Sequence, residues 1–457
     1  MGRNLIRVVF AASLAGIGLL LSPAFDIPPL VAAAAAADRA VVGAESGELP
    51  ADAIVFPLKY RGLSGAKNEL RYNSYWGFGG SESNAGAFAK AVKRKVKTAS
   101  LVYNPELKGA EWSVLEVRDG KAVALYFDLN ADGALADNER IAPTTNNPDN
   151  KDRQWEFVTP DFMVKTASGV KVPYRVLLRV NFYGSNNEPN CMWSPACLLE
   201  GTATVAGQTV RLILFANGFS GEFNHFGQAS YALVSGKQAG IQSDQNISRE
   251  TLSSLINYQG QFYHLQLPAA KGSGHPVRAI LTKDTTPTGD VAVHLAGDTG
   301  LKSRLASARL RGARDDTVHF GITGGQATLP EGQYKLDQGT LEYGRQNPGE
   351  WEVGFTEGPE IAIRPQTVAS VGLGKPVLVI RAINEKNRYD RDTKEESVYR
   401  KGATVYFSPK ISGKNNEVYN RFATKGSTAG NAEAKPPRIR IVNAAGKEMV
   451  AKAMEYG

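Results

Sequence analysis

The sequence has few of the residues that usually carry enzyme chemistry, and it lacks the spaced motifs that bring such residues together. Only 5 of its 457 residues are His, and none of them falls in an H-E-x-x-H arrangement. A G-x-S-x-G nucleophile turn, a P-loop and a dinucleotide fingerprint are also absent. For His275 and His294 the sequence favours an ordinary structural or surface role over catalysis. The sequence is also compatible with a pair of carboxylates that could catalyse glycoside hydrolysis.

Cysteine is also scarce, since the chain contains only Cys191 and Cys197, both in "NCMWSPACL". Two cysteines alone cannot complete the tetrahedral shell of a zinc ion. The first histidine in the chain is His225, which is not close to them in sequence. In an oxidising compartment, a pair this close in sequence more often forms a local disulfide than two free thiols. We therefore predict a disulfide, with two buried small side chains as the alternative.

Long apolar runs are missing after the first residues. Arg3 and Arg7 precede the short apolar stretch Val8–Leu21, which prolines interrupt before the small residues of "VAAAAAADRA". This pattern predicts a signal peptide over residues 1–37, with an uncleaved anchor as the alternative. No later segment is apolar enough to cross a bilayer. We expect an exported protein, periplasmic or extracellular.

What the sequence does contain favours β structure. Gly (47) and Pro (23) are plentiful, and short apolar or alternating segments such as "YRVLLRVNFYG" recur between turn signals. The best helix candidate is "ISRETLSSLI", Ile247–Ile256, with Ser248 as a cap. We predict a mostly β, multidomain chain, with domains at 38–245, 246–357 and 358–457.

An internal echo divides the first of these domains. "GKAVALYFDLNADGAL" and "GQTVRLILFANGFSGEF" share a Gly-led turn, an apolar strand and a Gly-bearing polar tip. Two related half-units, about 51–145 and 150–245, are one explanation, and convergent hairpin patterning is the other. In the second copy the carboxylates are absent.

The tip of the first copy, "DLNADGALADNE", matches the twelve-residue calcium loop D-x-[DN]-x-[DN]-G-x₅-E. Calcium takes six to eight oxygen ligands, which such a loop supplies at fixed offsets. Gly133 allows the sharp turn, and Leu135 is the apolar inward position. The predicted Ca²⁺ ligands are Asp128, Asn130, Asp132, the Ala134 carbonyl and Glu139.

Strand-like flanks distinguish this loop from the helix–loop–helix EF-hand. "AVALYF" precedes it, and Pro143 prevents a long helix after it. The loop resembles the EF-hand-like Asp-x-Asp-x-Asp-Gly loops of secreted bacterial β-rich proteins and dockerin-type modules, a resemblance that implies a structural ion. Since an exiting helix normally presents the last ligand, Asp137 or Asn138 is an alternative to Glu139. A metal-free Asx-type turn is the alternative for the whole loop.

Two later regions are interpreted as β-sandwiches. "LPEGQYKL", Leu329–Leu336, resembles the strand entry of prealbumin-like and carboxypeptidase-regulatory-like domains. That resemblance implies a turn set by Pro and Gly and a tyrosine ring packed in the sandwich. Strand-like segments after Pro359 suggest a final Ig-like domain.

The net charge of +8 suggests an anionic partner. The densest basic run, Ala89–Ser100, reads as a solvated strand face without regular aromatic interleaving, so nucleic-acid binding is not predicted. The sequence favours a non-catalytic binding or scaffold protein of the cell envelope, with anionic polysaccharide or another envelope protein as partner. An adhesin that binds anionic glycans and a carbohydrate-active hydrolase on a β scaffold are the alternatives.

Overall fold

The computed structural model describes a large part of the chain. The described residues are 7–8, 49–64, 76–77, 99–103, 112–118, 121–132, 135–144, 154–182, 189–216, 218–235, 247–268, 274–295, 302–344, 351–374, 377–383, 406–413, 415, 417–424, 438–442 and 448–453. Most of the predicted signal peptide, Gly133, Ala134 and nearly all of the basic run lie outside them.

Apart from one 3₁₀ turn at Asp137–Glu139, the regular structure of the described residues is β-strand. In chain order, the first twenty strands are β1 (Arg7–Val8), β2 (Ile54–Pro57), β3 (Lys59–Gly62), β4 (Trp76–Gly77), β5 (Ala99–Tyr103), β6 (Trp112–Arg118), β7 (Lys121–Phe127), β8 (Arg140–Ile141), β9 (Gln154–Val158), β10 (Phe162–Lys165), β11 (Lys171–Tyr174), β12 (Val176–Phe182), β13 (Pro189–Pro195), β14 (Cys197–Val205), β15 (Gln208–Phe215), β16 (Ser230–Ser235), β17 (Glu250–Thr251), β18 (Leu255–Tyr258), β19 (Gln261–Gln266) and β20 (Arg278–Lys283). The others are β21 (Thr288–Leu295), β22 (Lys302–Gly312), β23 (His319–Thr323), β24 (Gln326–Pro330), β25 (Gly332–Gly344), β26 (Trp351–Thr356), β27 (Glu360–Ile363), β28 (Val368–Leu373), β29 (Val377–Ile383), β30 (Tyr406–Ser412), β31 (Val418–Thr424), β32 (Arg438–Val442) and β33 (Glu448–Ala453). The predicted mostly β class is confirmed. Within the described residues, no helix is long and apolar enough to span a membrane.

The strand patterns follow from burial. β10 alternates buried and exposed residues, as expected for a ribbon with one covered face. β12 is buried along nearly its whole length, which suits its almost continuous apolar sequence "VLLRVNF". At Ala206 and Gly207 the φ angles are 47° and 77°, so the turn predicted there is a two-residue type I′ hairpin between β14 and β15.

The chain divides into two compact units. The N-terminal unit comprises Val42–Thr286 and Asp315–Phe320. The C-terminal unit comprises Pro287–Arg314 and Gly321–Gly457, together with Met1–Val41. This division differs from the predicted boundaries at 245/246 and 357/358, because strands on both sides of each boundary pair with one another. The predicted half-units likewise belong to one unit, in which β3 pairs with β14.

Two ladders of the N-terminal unit, joined at both ends by short stretches of chain rather than by pairing, form a closed path here called the strand ring. Their orders are β17–β16–β15–β14–β3 and β18–β19–β20–β2. Only Leu58 separates β2 from β3, and only residues 252–254 separate β17 from β18. The path therefore passes from one ladder into the other at both ends. The main core draws on both ladders, with Phe56, Leu199, Leu214, Ile256 and Leu281 among its members.

The helix predicted over Ile247–Ile256 is wrong. Glu250–Thr251 pairs with β16, and Leu255–Tyr258 pairs with β19. Ser253 makes the bend between them, where its Oγ donates to the Leu255 carbonyl at 2.6 Å. Pairing with two neighbouring strands satisfies the backbone of this segment and overrides its weak helical pattern.

Two further sheets are formed by strands that lie between β3 and β14 in the chain. β5 to β8 form a four-stranded meander in chain order, and a second sheet has the order β4–β13–β12–β9. The hairpin β10–β11 forms a two-stranded sheet of its own.

In the C-terminal unit, the strand order is β28–β21–β24–β23–β22–β25–β26–β31–β30–β29, and β27 also pairs with β25. β21 and β28 run parallel, whereas the other pairs whose register is described in this sheet are antiparallel. Tyr334 is buried, and its hydroxyl donates to the Pro330 carbonyl at 3.0 Å. The ring packing expected for "LPEGQYKL" is thus confirmed, while the sandwich assignment stays a prediction.

A fully buried carboxylate, Glu417, ties the end of β28 to the β30–β31 connection. Its Oε1 accepts the Gly374 N–H at 2.9 Å and the Tyr419 hydroxyl at 3.0 Å, and its Oε2 accepts the Asn415 N–H at 2.9 Å. Among the described residues, no cationic side chain pairs with it. Burial and the nearby Glu417 raise the pKa of Tyr343 to about 12. Within the part of the chain that the structure describes, two backbone amides and one hydroxyl therefore compensate this carboxylate.

Candidate metal site

The candidate loop, Asp128–Glu139, joins two antiparallel neighbours of the meander, β7 and β8. Leu125 lies opposite Ile141 and Tyr126 lies opposite Arg140. This register brings the first and last loop residues to the same end of the strand pair. The predicted strand flanks are confirmed, and the loop closes a hairpin.

Two apolar clusters anchor the candidate loop, one at the residue before it and one at its eighth position. Phe127, immediately before the loop, is buried with its ring centroid 4.9 Å from that of Phe162 and 5.9 Å from that of Trp193. Leu135 packs in a separate small cluster with Val114 and Tyr126. The inward position predicted for Leu135 is confirmed, and the two clusters hold the loop on opposite faces of the meander.

The first half of the loop gathers three predicted ligands around one amide. The Asp132 N–H donates to Asp128 Oδ1 at 3.2 Å and to Asn130 Oδ1 at 2.9 Å. Asn130 Nδ2 in turn donates to Asp132 Oδ2 at 3.0 Å. Ala131 has a φ of 58°, in the left-handed region. The side-chain oxygens of positions one and three thus share the Asp132 amide in an Asx-type turn, while the position-five carboxylate accepts from the Asn130 side-chain amide.

Glu139 is turned back onto the start of the loop. It is 2% exposed, and its Oε1 accepts the Leu129 N–H at 2.9 Å while its Oε2 accepts the Ala136 N–H at 2.8 Å. A single 3₁₀ turn takes the place of the exiting helix of an EF-hand. Ala136 is its N-cap residue, and the chain enters β8 directly after it. Asp137 and Asn138 are exposed. Of the three residues considered for position twelve, Glu139 is the one directed into the loop.

The predicted ligands have the donor atoms that Ca²⁺ prefers, but the structure does not arrange those it describes as a preformed metal site. All are oxygen donors, which suit a hard cation. Within the described residues, however, no group of three or more His, Cys, Asp or Glu is placed to hold a metal ion. The Asn130 amide lies outside those four residue types, and the Ala134 carbonyl lies outside the described residues. Hydrogen bonds to the Asp132, Leu129 and Ala136 amides hold the loop in the geometry described.

The twin loop, Ala216–Ala229, also joins antiparallel neighbours, β15 and β16. Its tip is fastened by the β10–β11 hairpin: Tyr174 donates its hydroxyl to the Gly218 carbonyl at 2.7 Å, and the Ala167 N–H donates to Glu222 Oε1 at 3.1 Å. Phe219 and Phe223 are fully buried. Apolar packing and these bonds therefore replace the carboxylates of the first loop. Nothing in the sequence signalled the role of Glu222, whose partner is distant in the chain.

The predicted disulfide is not formed, because Cys191 and Cys197 are both free and buried. Cys191 lies within β13 and Cys197 begins β14, with only Ala196 between the strands. Six residues of extended chain span up to about 20 Å, whereas a disulfide requires Cα atoms within about 4.4–6.8 Å. The alternative of two buried small side chains is the one observed.

Burial raises the pKa of each thiol to about 12. At pH 8 we therefore expect native protein to react with Ellman's reagent at least about 10³-fold more slowly than unfolded chains, whose thiols have a pKa near 8.5. Two thiols per chain should titrate once denaturant is added without reductant. Failure to titrate under those conditions would mean that the purified protein contains a disulfide.

Of the two histidines weighed for catalysis, His275 is buried and His294 is exposed. His275 is buried, with its Nε2 3.2 Å from the Pro173 carbonyl oxygen, and burial lowers its pKa. Its ring stacks on Tyr60 at 6.1 Å and lies edge-on to Phe223 at 5.0 Å. His294 is exposed on β21.

Comparison of the chain with protein-family models, with curated proteins and with solved structures finds no match.

Proposed function

We propose that the protein is an exported, non-catalytic β protein of the cell envelope or extracellular space, in which Ca²⁺ fastens the Asp128–Glu139 loop. The observation that supports this most is the return of the buried Glu139 carboxylate to the Leu129 amide, beside Asp128. It brings the twelfth position of the motif back to the first without a helix. Asp128, Asn130, Asp132, Glu139 and the Ala134 carbonyl would hold the ion.

Such an ion would neutralise the clustered charges of Asp128, Asp132 and Glu139. Because the loop is anchored through Phe127 and Leu135, its fixation would stabilise the meander and the core beneath it. The role is structural, since one loop without helices has no paired partner to open a groove.

Calcium is expected to stabilise the N-terminal unit measurably. With a Kd of about 10⁻⁴–10⁻³ M, 10 mM Ca²⁺ contributes about 1.4–2.7 kcal/mol relative to chelator. For a unit of this size, this amounts to about 3–10 °C in Tm. Differential scanning calorimetry in EDTA and in Ca²⁺, with Mg²⁺ as the ionic control, gives the measurement.

Two matched variants separate a metal site from a metal-free turn. Glu139→Gln should abolish the calcium response, whereas Asp137→Asn, which removes an exposed charge from the same loop, should keep it. An unchanged Tm in the wild type, or equal responses from the two variants, would show that the loop is an Asx turn only.

The net charge of +8 supports anionic polysaccharide, or an acidic envelope protein, as the partner. Retention on an immobilised anionic polysaccharide that disappears with rising salt tests this part of the proposal. The hydrolase alternative draws less support. Several buried acids already have structural partners: Glu156 pairs with Arg179, Asp284 accepts from Thr286, and Glu417 is held by backbone amides.

A further inference from the structure

The hairpin β10–β11 continues the ribbon made by β9 and β12, with an interruption between them. β9 pairs with β12 up to Val158 and Leu177, and the pairing resumes between Phe162 and Tyr174. The chain that connects the strands is longer on one side, where Thr159–Asp161 lies opposite Arg175. Unequal strand lengths of this kind bend a ribbon locally.

Fixed contacts hold the base of the hairpin at this interruption. The Thr159 N–H donates to the Val176 carbonyl at 3.0 Å, and the Val176 N–H donates to Thr159 Oγ1 at 3.1 Å. Asp161 Oδ1 accepts Arg175 Nε at 2.9 Å and the Tyr60 hydroxyl at 2.8 Å. These bonds connect the interrupted segment of the ribbon to β3 and β12.

Beyond the base, β10 and β11 pair with no other strand among the described residues. One face of the hairpin is buried, through Phe162, Val164, Val172 and Tyr174, whereas Met163 on the other face is 49% exposed. A two-stranded ribbon has little stability alone, so docking of this face is what keeps it folded.

The surface on which the hairpin packs has two glycines directly under hairpin valines. A Cβ on Gly221 would lie 2.6 Å from Val164 Cγ2, and a Cβ on Gly274 would overlap Val172 Cγ1. The two glycines therefore form notches in which the valines sit. Three further contacts hold the hairpin, namely the Tyr174 and Ala167 bonds to the twin loop and the His275 contact with the Pro173 carbonyl.

We propose that residues 162–174 form a flap that opens as one unit about Thr159–Asp161 and Arg175, while β9 and β12 stay paired. Opening breaks these three contacts and withdraws the four apolar side chains without disrupting a ladder of the strand ring. It uncovers an apolar patch that includes Phe223 and the ring of Phe127, the residue immediately before the candidate loop.

Hydrogen exchange of the full-length protein, followed by mass spectrometry in the presence of EDTA, tests the flap independently of calcium. Amides of 162–174 should exchange together, at least about tenfold faster than those of β14 and β15. Exchange of all these segments at one common rate, or fast exchange confined to the 166–170 tip, would overturn the proposal.

A wedge variant sharpens the test. Gly274→Ala fills the notch under Val172 and should speed exchange of 162–174 by a further tenfold or more, with these amides still exchanging ahead of those of β14 and β15. Gly207→Ala, at a turn with open space around it, is the control and should leave the flap rates unaltered. If Gly274→Ala leaves exchange of 162–174 unchanged, or if these amides then exchange at the same rate as those of β14 and β15, the hairpin does not open as a separate unit.

Discussion

Replacing Glu417 with alanine is expected to destabilise the C-terminal unit by about 3–5 kcal/mol. The carboxylate is fully buried and accepts hydrogen bonds from two backbone amides and the Tyr419 hydroxyl. Each of these donors would be left unsatisfied, at about 1–3 kcal/mol apiece before relaxation. Urea unfolding, followed through hydrogen exchange of peptides from 332–373, measures the loss in this unit alone.

Two further variants show whether the loss comes from the missing acceptors. Glu417→Gln keeps one oxygen and places an amide NH₂ against a donor, so about 1–3 kcal/mol should be lost. Glu360→Ala, at an exposed position on β27, should change stability by no more than about 0.5 kcal/mol. Equal effects of Glu417→Ala and Glu360→Ala would contradict the role given to the buried carboxylate.

Gly221→Ala is expected to destabilise the N-terminal unit by about 2–4 kcal/mol. Two costs combine there, because Gly221 has a φ of 74° and a Cβ would lie 2.6 Å from Val164 and 2.8 Å from Val172. Left-handed backbone costs an alanine about 1 kcal/mol, and crowding of a packed core typically costs about 1–3 kcal/mol. Chemical denaturation monitored by tryptophan fluorescence gives the value.

Gly207→Ala separates these two costs. Gly207 has nearly the same φ, 77°, but nothing lies within 4 Å of its Cβ position. This variant should lose only about 1 kcal/mol, the cost of the backbone conformation. A loss at Gly207 as large as that at Gly221 would mean that the packing of the hairpin against the twin loop contributes little.

Local features of the fold could be predicted from the sequence because their signals are local. The Ala206–Gly207 turn, the strand before Asp128 and the packed ring of Tyr334 each depend on neighbouring residues. Pairing between Ile54 and Leu281 has no such signal, since it depends on which distant strands complete the core. The same limit explains the helix wrongly predicted at 247–256, where two partner strands decide the conformation.

The candidate site follows the same division. Spacing alone selects Asp128, Asn130, Asp132 and Glu139 as candidate ligands, and the structure adds that Glu139 contacts the Leu129 and Ala136 amides whereas Asp137 and Asn138 are exposed. For the cysteines, closeness in sequence misled the prediction, because extended strands separate residues that a turn would bring together. The bond between Ala167 and Glu222 joins positions far apart in the chain and could not be foreseen.

The closed path of the strand ring also fixes the order in which the N-terminal unit can be completed. β2, near the start of the unit, pairs with β20. Ile54 therefore has no pairing partner until Leu281 has been synthesised. Long loop closure slows folding and leaves apolar strands unpaired meanwhile. A chain cut after residue 245 would lack β17–β20, leaving β2 without a partner. Synthesis of nearly the whole unit must therefore precede the closure of its core.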